Sequence, residues 1–96
     1  MILPYKFKLG HQQYEVRPCY TGTSKSGWVY PGVAFMEIAI SNRKGVRKPK
    51  DIQLTFWHEA THAILYSMGH PLWNDEKFVT AFSKRLVQLI NTAEFK

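Results

Sequence analysis

Residues 58–62 read His-Glu-Ala-Thr-His. On a helix, residues i and i+4 share one face, with Cβ atoms about 5–6 Å apart. Two imidazoles so placed can each give one nitrogen to a single zinc ion. Glu59 projects about 100° around such a helix from His58. It can therefore reach a water on the same metal without displacing a ligand. Zinc lowers the pKa of that water towards about 7. Glu59 is then the catalytic base, which takes the proton and hands it to a leaving amine. The plainer alternative is two core histidines with Glu59 braced against one of them. A buried carboxylate with no cationic partner is costly, and no Lys or Arg occurs between Asp51 and Glu76.

A catalytic zinc site takes three protein ligands and leaves a position open. The downstream candidates are His70, Asp75 and Glu76. His70 follows Gly69 at the expected end of the helix, two turns from His62, and a helix end does not fold back on its own middle. Asp75 and Glu76 open the next helix. At about 100° per residue Asp75 points near the centre of that helix's apolar stripe and Glu76 to its edge. Glu76 has the longer arm and is preferred. Both acids also suit the helix dipole.

The elements that must position these groups are legible in outline. A helix is expected from Pro49 or Asp51 to Met68, with Asp51 as N-cap or dipole partner and Gly69 as the C′ residue. Ile52, Leu54, Phe56, Trp57, Ala60, Ala63, Ile64, Leu65 and Met68 cover most of its circumference, which marks a central, buried helix. Asn74 is the expected N-cap of a second helix running to about Thr92. Its stripe is Phe78, Val79, Phe82, Leu86, Leu89, Ile90 and Ala93, and it packs back on the first helix as a hairpin. The first half reads as strands and turns. A strand over Gln12–Arg17 is ended by Pro18, a loop spans Tyr20–Gly27, and a short strand covers Trp28–Tyr30. The best strand is Val33–Ile40, and a basic turn or loop covers Asn42–Lys50. The expected fold is α+β: one domain over residues 1–96, with a short antiparallel sheet followed by a two-helix hairpin that carries the zinc site.

Composition sets limits. The chain has 96 residues, 45% hydrophobic and 21% charged, which is globular and not disordered. Fourteen aromatic residues suit a small core. The single Cys19 excludes an internal disulfide and a four-cysteine zinc site, and fits a reducing, cytoplasmic setting. No apolar run approaches the ~20 residues that span a bilayer, and Met1–Gly10 lacks a signal-peptide pattern. The net charge of +6 is uneven: residues 1–50 hold nine Lys/Arg against two acids, and residues 51–96 hold four against five. A basic half attracts polyanions, but no reading helix or aromatic RNA-binding signature accompanies it. A solvated surface is the simpler expectation.

The segment Thr55-Phe56-Trp57-His58-Glu59-Ala60-Thr61-His62-Ala63-Ile64-Leu65, then Gly69, then Asn74-Asp75-Glu76-Lys77-Phe78-Val79, resembles the small gluzincin-type metallopeptidase domains of phages and prophages. It is similar to the ImmA/IrrE-type peptidases and to the compact minigluzincins. The resemblance covers about residues 52–90. It implies a zincin-like minimal fold, a Zn²⁺ cofactor held by His58, His62 and Glu76, catalysis by Glu59, and a protein or peptide substrate. Zinc peptidases commonly hold substrate as an added strand on a sheet edge, and Val33–Ile40 is the expected edge or its neighbour. Tyr30, Tyr66 and His70 are candidates to stabilise an oxyanion. Two other functions compete: a catalytically silent zinc-binding module, and a basic nucleic-acid-binding protein.

Overall fold

The computed structural model describes residues 3–96. The chain forms β1 (Lys6–Leu9), β2 (Gln12–Tyr20), β3 (Gly27–Tyr30), β4 (Phe35–Asn42), β5 (Gly45–Val46), α1 (Pro49–Ser67) and α2 (Glu76–Thr92), with 3₁₀ turns at Pro31–Val33 and Pro71–Asn74. It is an α+β fold, a five-stranded sheet and two helices. No helix among the described residues is long and apolar enough to cross a membrane.

The sheet corrects the expected antiparallel arrangement: it is mixed. Its order is β1-β2-β4-β3, with β5 beside the end of β4. β1 pairs β2 antiparallel, β2 pairs β4 parallel, and β3 and β5 both pair β4 antiparallel. The cause lies in residues 21–26. This loop crosses the end of β4, where Thr21 N–H donates to the Ser41 carbonyl and Arg43 N–H to the Thr23 carbonyl. β3 then descends on the far side, and the Pro31–Val33 turn returns the chain as β4 between β3 and β2. The strand richest in fully buried side chains thereby takes the centre: Met36, Ile38 and Ala39 have no exposed surface.

Pro18 does not end β2, which continues to Tyr20. Glu15 N–H points to β4 and Val16 N–H to Tyr5 ahead of β1. By alternation the position-18 nitrogen faces the side where β1 has already ended, so the missing N–H costs no ladder bond.

One face of the sheet carries the helices. Val16, Met36 and Ile38 pack against Phe56 and Ala60 of α1, with Phe7, Val29, Ile52 and Trp57 around them. Tyr14 and Ala34 meet Ala63 in a smaller cluster. Each large apolar side chain so buried contributes about 1.5–3 kcal/mol. α1 lies over β3 and β4, and the approach at Gly27 is close: a Cβ there would stand 2.7 Å from Thr55 Cγ2 and 3.0 Å from the Glu37 carbonyl oxygen.

α1 begins with Pro49 in its first turn and Lys48 as its extended N-cap, leaving Asp51 to complement the dipole. It ends at Gly69, whose φ of +65° lets His70 N–H reach the Leu65 carbonyl and Gly69 N–H the Tyr66 carbonyl. Asn74 is not the cap of α2. Asp75 is, its carboxylate accepting from Phe78 N–H at 2.9 Å. The apolar stripe of α2 is only partly covered. Val79 and Ser83 are buried, while Phe82, Leu89 and Ile90 are 46%, 62% and 39% exposed.

Candidate metal centre

Most polar side chains buried within α1 have an evident partner. Thr55 Oγ1 accepts from the Arg47 guanidinium at 2.7 Å, and Thr61 Oγ1 donates to the Trp57 carbonyl at 2.7 Å. His62 Nδ1 lies 2.6 Å from the Trp73 carbonyl oxygen. A carbonyl only accepts, so Nδ1 carries a proton and Nε2 is the nitrogen turned towards Glu76. That is the arrangement in which a second partner orients a metal-binding imidazole.

The Nε2 atoms of both histidines converge on one carboxylate. His62 Nε2 is 2.6 Å from Glu76 Oε1, and His58 Nε2 is 3.1 Å from Glu76 Oε2. The two rings sit 5.0 Å apart between centroids. One ligand atom from each of His58, His62 and Glu76 lies within 4.8 Å of the others, close enough to hold a metal ion. Bonds of about 2.0–2.2 Å in a tetrahedral site separate ligand atoms by about 3.3 Å, which falls inside the observed spread.

The three acceptor candidates for the third position are sorted by their local bonds. Asp75 is turned to cap α2. His70 Nδ1 accepts from Leu72 N–H at 3.1 Å and caps the preceding 3₁₀ turn. Glu76, next in the chain, has its carboxylate free to span the two imidazoles. His62 is nearly buried and His58 less so, whereas the Glu76 side chain is 70% exposed. The trio is thus closed from the protein side and open towards solvent.

Two buried polar groups of α1 lack a hydrogen-bond partner: Trp57 Nε1 and the carboxylate of Glu59. The Glu59 side chain is 12% exposed, and the nearest group of opposite character is His58 Nε2 at 3.9 Å, beyond hydrogen-bond reach. Burial pushes its pKa up to about 7, with a smaller rise from the Glu76 charge and an opposing pull from His62. Burial also lowers the pKa of His58, against the pull of Glu76. A carboxylate held near neutrality beside a ligand cluster is suited to exchanging protons at working pH.

A cleft of about 530 Å³ opens beside this group. His58, Glu59, Thr55 and Leu54 line one wall, and Ser24, Ser26 and the β4–β5 hairpin line the other. Val33–Ile40 was expected at the sheet edge or next to it. β4 is the neighbour, and β3 is the edge strand on the helix side. The expected oxyanion groups are elsewhere. Tyr30 stacks on Phe35, Tyr66 meets the Trp73 ring and lines a separate cavity with Tyr14, and His70 is engaged as a cap. Two contributors had no sequence signal. The Trp73 carbonyl acts through backbone alone. Arg47, within the basic turn, donates to the carbonyls of Ser26, Ala39 and Asp51 as well as to Thr55.

Set against protein-family models, curated proteins and solved structures, the chain matches none of them.

Proposed function

We propose that the chain is a zinc-dependent metallopeptidase. The observation that carries this reading is the convergence of His58 Nε2, His62 Nε2 and the Glu76 carboxylate beside an unpaired, half-neutralised Glu59. Two imidazole nitrogens facing a carboxylate need positive charge between them, either protons or a cation. Two histidines and a glutamate are a donor set that zinc accepts with one position left open. Zinc bound there would acidify a water and polarise a substrate carbonyl.

The chain's own residues then divide the work. Glu59 accepts a proton as water oxygen adds to the carbonyl carbon. It returns that proton to the amide nitrogen as the C–N bond breaks, so one water is consumed and one acid and one amine are formed. His62, held by the Trp73 carbonyl, keeps its ligand nitrogen aimed. The edge strand β3 offers backbone groups to an extended peptide.

A metal-binding module without hydrolysis is the second reading. It is favoured by Tyr30, Tyr66 and His70 all being engaged away from the cleft. The two separate in one experiment. Purified chain is assayed for metal and for cleavage of a denatured protein mixture, beside Glu59→Gln and a chelated sample. The peptidase reading expects about one zinc per chain in both proteins and cleavage lowered about 10²–10⁴-fold by the substitution. Zinc retained with no cleavage by the unaltered chain selects the silent module.

A further inference from the structure

The wall of the cleft opposite His58 and Glu59 is built by the β4–β5 hairpin and the chain that follows it. It carries Lys44, Arg47 and Lys48. None of these cations forms an ion pair among the described residues, where the Lys/Arg pairing is Arg17 with Glu15. Arg47 bonds only to neutral oxygens: the carbonyls of Ser26, Ala39 and Asp51 and the hydroxyl of Thr55. It is therefore a fixed, uncompensated positive charge that rivets the hairpin to α1. Lys44 and Lys48 are exposed beside it. The acids lining the cleft are Asp51 and Glu59, both on α1. The cleft is thus polar in a defined sense, with reactive groups on one wall and free cations on the other.

We propose that this wall selects the substrate: a polypeptide lying in the cleft places a carboxylate, from an Asp or Glu side chain or from a C-terminus, against Lys44 and Lys48 with Arg47 behind them. The proposal rests on the metallopeptidase reading for the fate of the bound peptide, though not for its binding. A nucleic-acid strand would also meet the lysines. A continuous polyanion running inwards, however, would face Asp51 and Glu59, whereas a peptide can be acidic at one end and neutral at the other. The volume, about 530 Å³, is that of a site for a short segment. Exposed ion pairs are individually modest, so each lysine engaged is expected to favour a carboxylate over its amide by up to about fivefold.

The test uses zinc-loaded Glu59→Gln full-length chain, immobilised and incubated with random peptides of uniform length, one pool with free and one with amidated C-termini. Captured peptides are sequenced. Asp and Glu should be enriched over Asn and Gln by up to about fivefold per lysine, with the enrichment fading at high salt. The bias should disappear in a Lys44→Ala/Lys48→Ala background. Capture confined to the free-terminus pool also supports the proposal and assigns the carboxylate to the C-terminus. Equal capture of acids and amides overturns it. So does a bias that survives the double lysine substitution, or displacement of captured peptides by single-stranded oligo-dT at equal concentration. Captured peptides are finally offered to the zinc-loaded unaltered chain. If they stay intact, the metallopeptidase reading falls while the acidic selectivity of the cleft stands.

Discussion

Replacing Glu59 with glutamine should stabilise the metal-free protein, and only above mildly acidic pH. In the folded chain burial lifts the Glu59 pKa from 4.5 to about 7. Below pH 4.5 the group is protonated in both states and contributes nothing. As pH rises from there, the unfolded chain releases the proton while the folded chain retains it, so folding becomes progressively less favourable. Above pH 7 the full cost applies. Moving the pKa from 4.5 to about 7, at about 1.36 kcal/mol for each tenfold change in proton affinity, amounts to about 3 kcal/mol. Glutamine keeps the volume and removes the ionisation. The two proteins should match below about pH 4 and diverge towards pH 8 by up to about 3 kcal/mol, or about 10–20 °C in Tm for a domain of this size. The assay is urea unfolding in excess chelator at several pH values, followed by circular dichroism. The other titrating groups are common to both proteins and cancel in the difference. With zinc present the gain should shrink, because a nearby dication favours the ionised carboxylate. A glutamine variant that is less stable than the parent at pH 8, or that shows the same pH slope, would refute the placement of Glu59 as a buried, unpaired acid.

Four further outcomes follow from the geometry. His58→Ala, His62→Ala and Glu76→Ala should each strip metal, measured by elemental analysis, and lower stability with it, since binding energy is partly folding energy. Asp75→Ala should keep the metal and cost about 0.5–2 kcal/mol through loss of the α2 cap, seen in thermal melts. Gly27→Ala should destabilise by about 1–3 kcal/mol through overpacking; adding Thr55→Ser, which removes the Cγ2 methyl 2.7 Å away and keeps the hydroxyl, should recover part of the loss. Arg47→Lys should cost at least about 1 kcal/mol in denaturant unfolding, because a lysine cannot serve four acceptors in different directions.

The helices and the clustering of His58 with His62 were readable because their signals are local. The i, i+4 histidines, the apolar wrap of α1 and Gly69 all act within a few residues of themselves. Arm length favours Glu76 over Asp75, and a local fact the sequence reading missed points the same way: Asp75, not Asn74, caps α2 through Phe78 N–H, while the next carboxylate lies against the histidines. The sheet was less legible. Lys6–Leu9 alternates over four residues only, and Gly45–Val46 pairs two. The parallel pairing of β2 with β4 depends on where a six-residue loop of Thr, Gly, Ser and Lys carries the chain, and nothing in that composition encodes a crossing. Pro18 misled because its effect depends on which side of the strand its nitrogen faces. The Trp73 carbonyl has no side-chain signature at all.

The partial docking of α2 would give an ion held by His58, His62 and Glu76 a mechanical role. Val79 and Ser83 are buried on that helix, whereas Phe82, Leu89 and Ile90 remain substantially in solvent. Polar contacts therefore matter at both ends of α2: Gln53 and Asn91 exchange side-chain hydrogen bonds at 3.0 and 3.2 Å near its C-terminal end, and Glu76 in its first turn meets His58 and His62 at the centre of α1. An ion shared by His62 and Glu76 would close a loop with thirteen residues between them, much as a crosslink does. Such an ion would be a latch and α2 the hinged leaf it secures. Withdrawing it would loosen the leaf at its N-terminal end, while the sheet and α1 keep their own core. On the metal-binding proposal, metal availability would then set how firmly this helix is held.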